Sequence, residues 1–217
     1  MAPALGLYGG TFDPIHAGHL RLAVEMREAL GLARVVFLPA GNPWQRAGGP
    51  IAGAAQRADM IRLAIAGEPG FALDERELYR AGPSYTVDTL AEFRAEVGAS
   101  QPLVFLCGSD AAAGIDTWHR WEDLATLAHL AVAGRARESA ADIVRRLPAA
   151  LASRVAATPA EALANAAGRV MPLAMTPLAI SSTDLRERAA CGKLLRWLAP
   201  DVVVDYIHRN ALYGVVA

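Results

Sequence analysis

Apolar runs without alternation, separated by stretches of helical period, organise this chain. Ala4 to Tyr8, Val35 to Pro39, Phe71 to Leu73, Leu103 to Cys107, His129 to Ala133 and Val170 to Leu173 read as six short strands. A strand covered on both faces is apolar at successive positions, as in a parallel sheet. From about Gly18 to Leu30, Leu22, Ala23, Met26 and Leu30 fall on one face and Arg21, Glu25 and Glu28 on another. That period predicts an amphipathic helix, ended by Gly31. Strand, helix, strand makes one right-handed crossover unit. A second helix is expected over Gln56–Ala66, with Met60, Ile61, Ala64 and Ile65 inward and Arg57 and Arg62 on the polar side. Asp74-Glu75-Arg76-Glu77 reads as solvated charge. Ser84 or Thr86 can cap a helix that runs to about Val97. Residues 137–168 are rich in alanine and fit one or two surface helices broken near Pro148 and Pro159, with no evident chemistry. Ser181 and Asp184 have capping-box spacing and start a helix to about Cys191. Asp201 to Tyr213 has near-helical spacing again. The expected fold is α/β, a doubly wound parallel sheet. It forms one domain over 1–217, with 183–217 as a small C-terminal helical appendage.

Composition narrows the classes. The 217 residues are 53% hydrophobic, ample for one core. A formal net charge of −1 lacks the basic footprint of a nucleic-acid binder, so no nucleic-acid partner is expected. Cys107 and Cys191 stand in unlike contexts and suggest no disulfide framework, which makes a reducing cytoplasm the default. No run of about 18 uninterrupted apolar residues appears, so no membrane span is expected. Oligomeric state is not legible, and a homo-oligomer stays open.

Candidate chemistry gathers behind the first strand, at Gly9-Gly10-Thr11-Phe12-Asp13-Pro14-Ile15-His16-Ala17-Gly18-His19. A glycine pair lets backbone approach a ligand, and Asp13-Pro14 is turn chemistry. The helix start that follows offers free amides and the positive dipole end. His16 and His19, three apart, share a face of the first turn. With the Thr11 hydroxyl they converge on one anionic spot. No Cys or Glu stands at helical spacing beside the pair, so they are not expected to hold a metal.

Other candidates follow later strands. After the second, Trp44 and Arg46 either stack on a base and reach a phosphate or belong to an ordinary surface loop. After the fourth, Gly108 permits close approach, and Asp110 can accept bonds from ribose hydroxyls. Trp118 and Trp121 are spaced for core packing, yet Trp118 lies just past that loop and can stack on an aromatic ring. After the fifth, Arg135 either reaches a phosphate or is solvated.

The stretch Gly9 to Leu20 resembles the HxGH signature of the nucleotidyltransferase superfamily, which transfers AMP or CMP from a nucleoside triphosphate. Ile180-Ser181-Ser182-Thr183-Asp184-Leu185-Arg186 resembles its second signature, ISSTxxR. Ser84-Tyr85-Thr86 with Thr89-Leu90, Gly108-Ser109-Asp110 and Trp118 narrow the likeness to the bacterial nicotinate-nucleotide adenylyltransferase family. The matching covers Gly9 to about Leu130 and resumes near Ile180. It implies a Rossmann-like nucleotidyltransferase fold. The implied reaction joins ATP to nicotinate mononucleotide, giving nicotinate adenine dinucleotide and pyrophosphate.

The likeness and the residue readings together assign roles. His16, His19 and Arg186 would be catalytic. Gly9, Gly10, Thr11, Phe12, Ser181, Ser182, Thr183 and Arg135 would bind ATP and its phosphates, with Gly108 and Asp110 at the nucleotide. Tyr85, Thr86, Trp118, His119, Trp44 and Arg46 would take the mononucleotide. Trp118 would stack on the pyridine ring, and amides near Thr86 and His119 would receive its carboxylate. Mg²⁺ would be held mainly by ATP phosphates. The family often carries a Pro-Pro-His-Lys-like run after the second strand, where this chain has Asn42-Pro43-Trp44-Gln45-Arg46. The rivals are nicotinamide mononucleotide or phosphopantetheine as acceptor, and a nucleotide-sensing protein without turnover.

Overall fold

The structure, a computed structural model, describes residues 3–41, 51–134, 138–176 and 178–215. Its strands are β1 (Leu5–Gly10), β2 (Arg34–Pro39), β3 (Phe71–Leu73), β4 (Leu103–Gly108), β5 (His129–Ala133) and β6 (Val170–Leu173). They form one parallel sheet in the order β3-β2-β1-β4-β5-β6. The chain winds outward from β1 to β3, returns to β4 on the other side of β1, and winds outward again. Strand order therefore reverses at β1 and β4, and open α/β sheets bind ligands outside the carboxyl ends of strands at such a point. Leu5 of β1 sits in register with Arg34 on one side and Leu103 on the other. β1 and β4 run on through Gly10 and Gly108, so the glycines belong to the strand ends themselves.

The helices are α1 (Ala17–Leu30), α2 (Ala54–Ala64), α3 (Thr86–Val97), α4 (Ser109–Ala113), α5 (Trp121–Leu127), α6 (Ala140–Arg146), α7 (Ala149–Ala152), α8 (Pro159–Leu163), α9 (Ser182–Ala190) and α10 (Asp201–Arg209). Two cores explain the unbroken apolar runs. Tyr8, Val35, Phe37, Val104 and Leu106 face one core with Met26 of α1 and Met60 of α2. Leu7, Val36, Leu38, Phe105 and Cys107 face the other with Leu90 of α3 and Leu124 of α5. Neighbours along a strand point to opposite faces, so both sets must be apolar. Leu7 and Phe37 are fully buried, each contributing roughly 1.5–3 kcal/mol of burial free energy. Leu185 of α9 and Val203, Val204 and Ile207 of α10 join the first core, so the C-terminal helices are built into the sheet's cover.

Four local expectations change. Arg57 does not face solvent: it is 1% exposed, and its guanidinium donates to the Thr11 carbonyl at 2.8 Å. The 74–77 stretch is not simply solvated. Arg76 pairs with Asp74 and Glu96 and lies 3.8 Å over the Phe93 ring, while Glu77 is buried. Neither Ser84 nor Thr86 caps α3, because Tyr85 takes the cap position and makes no side-chain cap bond. The Ser84 hydroxyl instead accepts the Gly41 N–H at 3.1 Å. Region 137–168 holds three short helices, and Pro148 and Pro159 begin the second and third. No helix among the described residues is long and apolar enough to cross a membrane.

Candidate active site

The loop from β1 to α1 is shaped by the glycines that end β1 and by one strained residue. A Cβ on Gly10 would stand 2.8 Å from the Phe12 ring, and one on Gly9 3.2 Å from Phe105. Phe12 itself has φ 50°, a left-handed conformation that costs a β-carbon residue on the order of 1–3 kcal/mol. Packing holds it there, with ring centroids 5.3 Å from Tyr8, 5.7 Å from Phe37 and 5.0 Å from His19. The Phe12 side chain is thus a buried backing for the His19 ring.

His16 is the N-cap of α1 and His19 its third residue. The His16 N–H donates to His19 Nδ1 at 3.3 Å, the bond that a glutamate makes at this position in a capping box. Neutral His19 therefore carries its proton on Nε2, by assignment from this network. The two rings stack 3.7 Å apart at 26°. Burial pushes His16 down to about 4, and burial with His16 alongside pushes His19 well below the usual imidazole range. Nδ1 of His16 is buried with no hydrogen-bond partner among the described residues. A Cβ on Gly18 would press on that ring at 3.0 Å, which is why glycine separates the histidines. The first turn of α1 holds no acidic residue, leaving its positive end for an anion.

The second signature grips the first. Ser181 caps α9, accepting the Asp184 N–H at 3.1 Å. Ser182 Oγ donates to the Pro14 carbonyl at 2.9 Å. Arg186 donates to the Asp13 carbonyl at 2.7 Å and to Thr183 Oγ1 at 3.0 Å. Ser182 and Arg186 thereby hold the loop that bears the histidines.

Two cavities flank this loop. The first, about 480 Å³, is lined by Gly18 and Leu22 of α1, Ala133 at the end of β5 and Gly134 after it, and Met175, Ile180 and Ser181. The second, about 520 Å³, is lined by Gly9, Gly10, Thr11, His19, Glu77, Thr86, Asp110 and Trp118. Gly108 lines both, and a Cβ there would meet nothing within 4 Å. In the second cavity Trp118 stands edge-on to Phe105, with centroids 6.1 Å apart at 83°. Tyr85 and His119 stack on each other at 4.3 Å and 30°. The uncapped start of α3 leaves first-turn amides for a ligand.

Several residues beyond the sequence expectations shape these walls. Asp110 pairs with Arg146 at 2.9 Å, and Arg146 also holds Glu138 at 2.8 Å, so α6 reaches the site after all. Glu138 in turn accepts the Ser109 hydroxyl. Thr89 Oγ1 donates to Glu77 at 2.7 Å, while burial pushes the Glu77 carboxyl up. Phe12, His16, Ser182, Thr183, Arg186, Tyr85 and His119 line neither cavity. Trp44, Arg46 and Arg135 lie outside the described residues.

A cytidylyltransferase-like family model matches residues 7–188. A curated protein of Dechloromonas aromatica, named as a probable nicotinate-nucleotide adenylyltransferase, is 47% identical over 98% of this chain and 99% of its own length. A relative of the same name from Laribacter hongkongensis is 50% identical over 97% of this chain and 94% of its own. The fold is similar to that of Plasmodium falciparum nicotinic acid mononucleotide adenylyltransferase complexed with NaAD. Its TM-score is 0.75 at 17% identity, covering 99% of this chain and 98% of the other. Two signatures joined at one switch point, and near-half identity over almost the full length, place this chain in the nicotinate-nucleotide adenylyltransferase family, within the cytidylyltransferase-like proteins.

Proposed function

We propose that this chain transfers the adenylyl group of ATP to nicotinate mononucleotide, giving nicotinate adenine dinucleotide and pyrophosphate. One observation carries the reading: two cavities flank the stacked histidines and meet at Gly108. The Gly18–Ser181 cavity takes ATP, its apolar wall at Leu22, Met175 and Ile180 suiting adenine. The Trp118–Thr86 cavity takes the mononucleotide. The names of the relatives support the choice of substrates.

An oxygen of the mononucleotide's phosphate, already ionised at neutral pH, attacks the α-phosphorus. The bond to the bridging oxygen breaks and pyrophosphate departs, so no general base is needed. Catalysis rests on positioning and on donors aimed at the developing charge. His19 Nε2–H and His16 supply such donors, with Thr11 and the amides at Gly9 and Gly10. Ser181, Ser182, Thr183 and Arg186 frame the triphosphate, directly or through the loop they hold. Amides at the start of α3 reward a carboxylate over a carboxamide, by about 0.3–1 kcal/mol from the helix dipole and more with charge-assisted bonds. Imidazoles, hydroxyls and amides fit an ion borne by phosphate oxygens and water, so Mg²⁺ would arrive with ATP and neutralise its charge. The reading carries the cytoplasm with it, supported by the free thiols of Cys107 and Cys191.

The test is a product analysis. ATP, nicotinate mononucleotide and Mg²⁺ should yield one dinucleotide per pyrophosphate, and nothing without the mononucleotide. ATP breakdown without dinucleotide would overturn the reading.

A pH effect follows from the neutral histidines. Phosphate oxyanions favour the charged imidazole, so ATP binding near pH 6 should take up about one proton. Calorimetry in two buffers of different ionisation heat should give different apparent enthalpies, and equal enthalpies would contradict it. In the free protein the lowered His16 value means that the unfolded chain binds more protons between about 4 and the ordinary imidazole range. Stability therefore falls as pH drops through that window, by at most about 1.4 kcal/mol for each step of one in pH.

A further inference from the structure

We propose that Tyr213 is a positioning residue for adenylyl transfer, acting through Asp13 on the loop that carries His16 and His19; this rests on the adenylyltransferase reading above. Tyr213 lies in a short 3-10 turn over Leu212–Gly214, 200 positions from Asp13 in sequence. Its hydroxyl donates to Asp13 Oδ1 at 2.8 Å. Asp13 is fully buried, and its carboxylate also accepts the Ile51 N–H at 2.8 Å and the Ala52 N–H at 3.1 Å. A buried carboxylate needs such partners, and losing one leaves part of its hydrogen-bonding capacity unmet.

The same loop is gripped elsewhere by the C-terminal region. Arg186 holds the Asp13 carbonyl, Ser182 holds the Pro14 carbonyl, and the Ala17 N–H donates to the Leu198 carbonyl at 2.9 Å. The backbone from Asp13 to Ala17 is thus cast against residues 182–213. Within that mould Tyr213 fixes the Asp13 side chain.

The turn is built at a conformational cost. Tyr213 has φ 58° and Ala211 φ 46°, both in the left-handed region that side chains with a β-carbon avoid. Strain of this kind persists where surrounding structure imposes it. The Tyr213 ring is buried in the first core, so filling space needs only a phenyl group. The hydroxyl adds a bond from the Leu212–Gly214 turn to the histidine loop. Burial and the neighbouring Asp13 push its pKa well above the usual phenol range, so it stays a donor at working pH. Two residues separate Asp13 from His16, and Ile15 between them is fully buried. A shift of Asp13 therefore reaches a ring that already has little room beside Gly18. Small misplacements of catalytic groups cost rate more than binding.

The test compares Tyr213→Phe with the parent protein. The expected result is a kcat lower by about tenfold, with both KM values within about twofold, at a temperature where melting curves show the variant folded. The ring ¹⁵N signals of His16 and His19 should move as well. In an Asp13→Ala background Tyr213→Phe should add less than about a twofold loss, because the acceptor of the link is already gone. Unchanged kcat with a lower melting temperature would overturn the proposal, as would an undiminished loss in the Asp13→Ala background. Should Tyr213→Phe melt below the assay temperature, the kinetics are taken below its melting point, where lower kcat at constant KM supports the link and constant kcat overturns it. Should the parent protein make no dinucleotide, the adenylyltransferase reading fails by itself. The histidine signals then still decide the link, and unmoved signals overturn it.

Discussion

His19→Ala should lower kcat by about 10²–10³-fold while leaving the fold intact. That is the usual effect of removing one preorganised donor from a developing oxyanion. His19 lines the cavity assigned to the mononucleotide, and its Nδ1 is spent on the His16 N–H, which leaves Nε2–H free to donate. Alanine is the best helix former, so the third position of α1 tolerates it. The local cost is the acceptor lost to the His16 amide, about 1 kcal/mol. KM for ATP should change by much less than kcat, because the donor acts most strongly where charge develops. Steady-state kinetics beside a thermal melt separates the two effects. A folded variant with kcat within about threefold of the parent would remove His19 from the mechanism.

Trp118→Ala should raise KM for the mononucleotide by about tenfold or more and leave KM for ATP nearly unchanged. Stacking of a heteroaromatic ring on an aromatic side chain is worth roughly 1–3 kcal/mol. Trp118 lines only the cavity assigned to the mononucleotide, and Phe105 braces it edge-on. Phe105 belongs to β4, so the indole is referenced to the sheet and not to a loop. Substrate titrations with the second substrate saturating measure both constants. Equal losses for ATP and mononucleotide would contradict the division of the two cavities.

Local signals carried most of the fold. Runs such as Val35 to Leu38 name a buried parallel strand because two cores claim alternate residues. The turn at Gly31 is legible because φ 59° there suits glycine. The histidine loop is legible because its polar residues and glycines stand at adjacent positions. What escaped the sequence acts across distance. Arg57 has the spacing of a polar helix face, yet it turns inward because the Thr11 carbonyl needs a donor. Glu77 sits in a charged run, yet it is buried where Thr89, twelve residues on, supplies a hydroxyl. Arg146 reaches Asp110 from a stretch with no local mark of function. Tyr213 and Asp13 are 200 positions apart, and neither carries a sign of the other. Ser84 is of a type that favours capping, but the Gly41 amide is its partner.

The most direct test of adenylyl transfer to nicotinate mononucleotide is pyrophosphate release with ATP and Mg²⁺, run with nicotinate and with nicotinamide mononucleotide at equal concentration. The account predicts clear release with both substrate halves present and a large preference for the acid. A preference for the amide would contradict the carboxylate-reading role of α3, and no release with either would contradict the reaction itself.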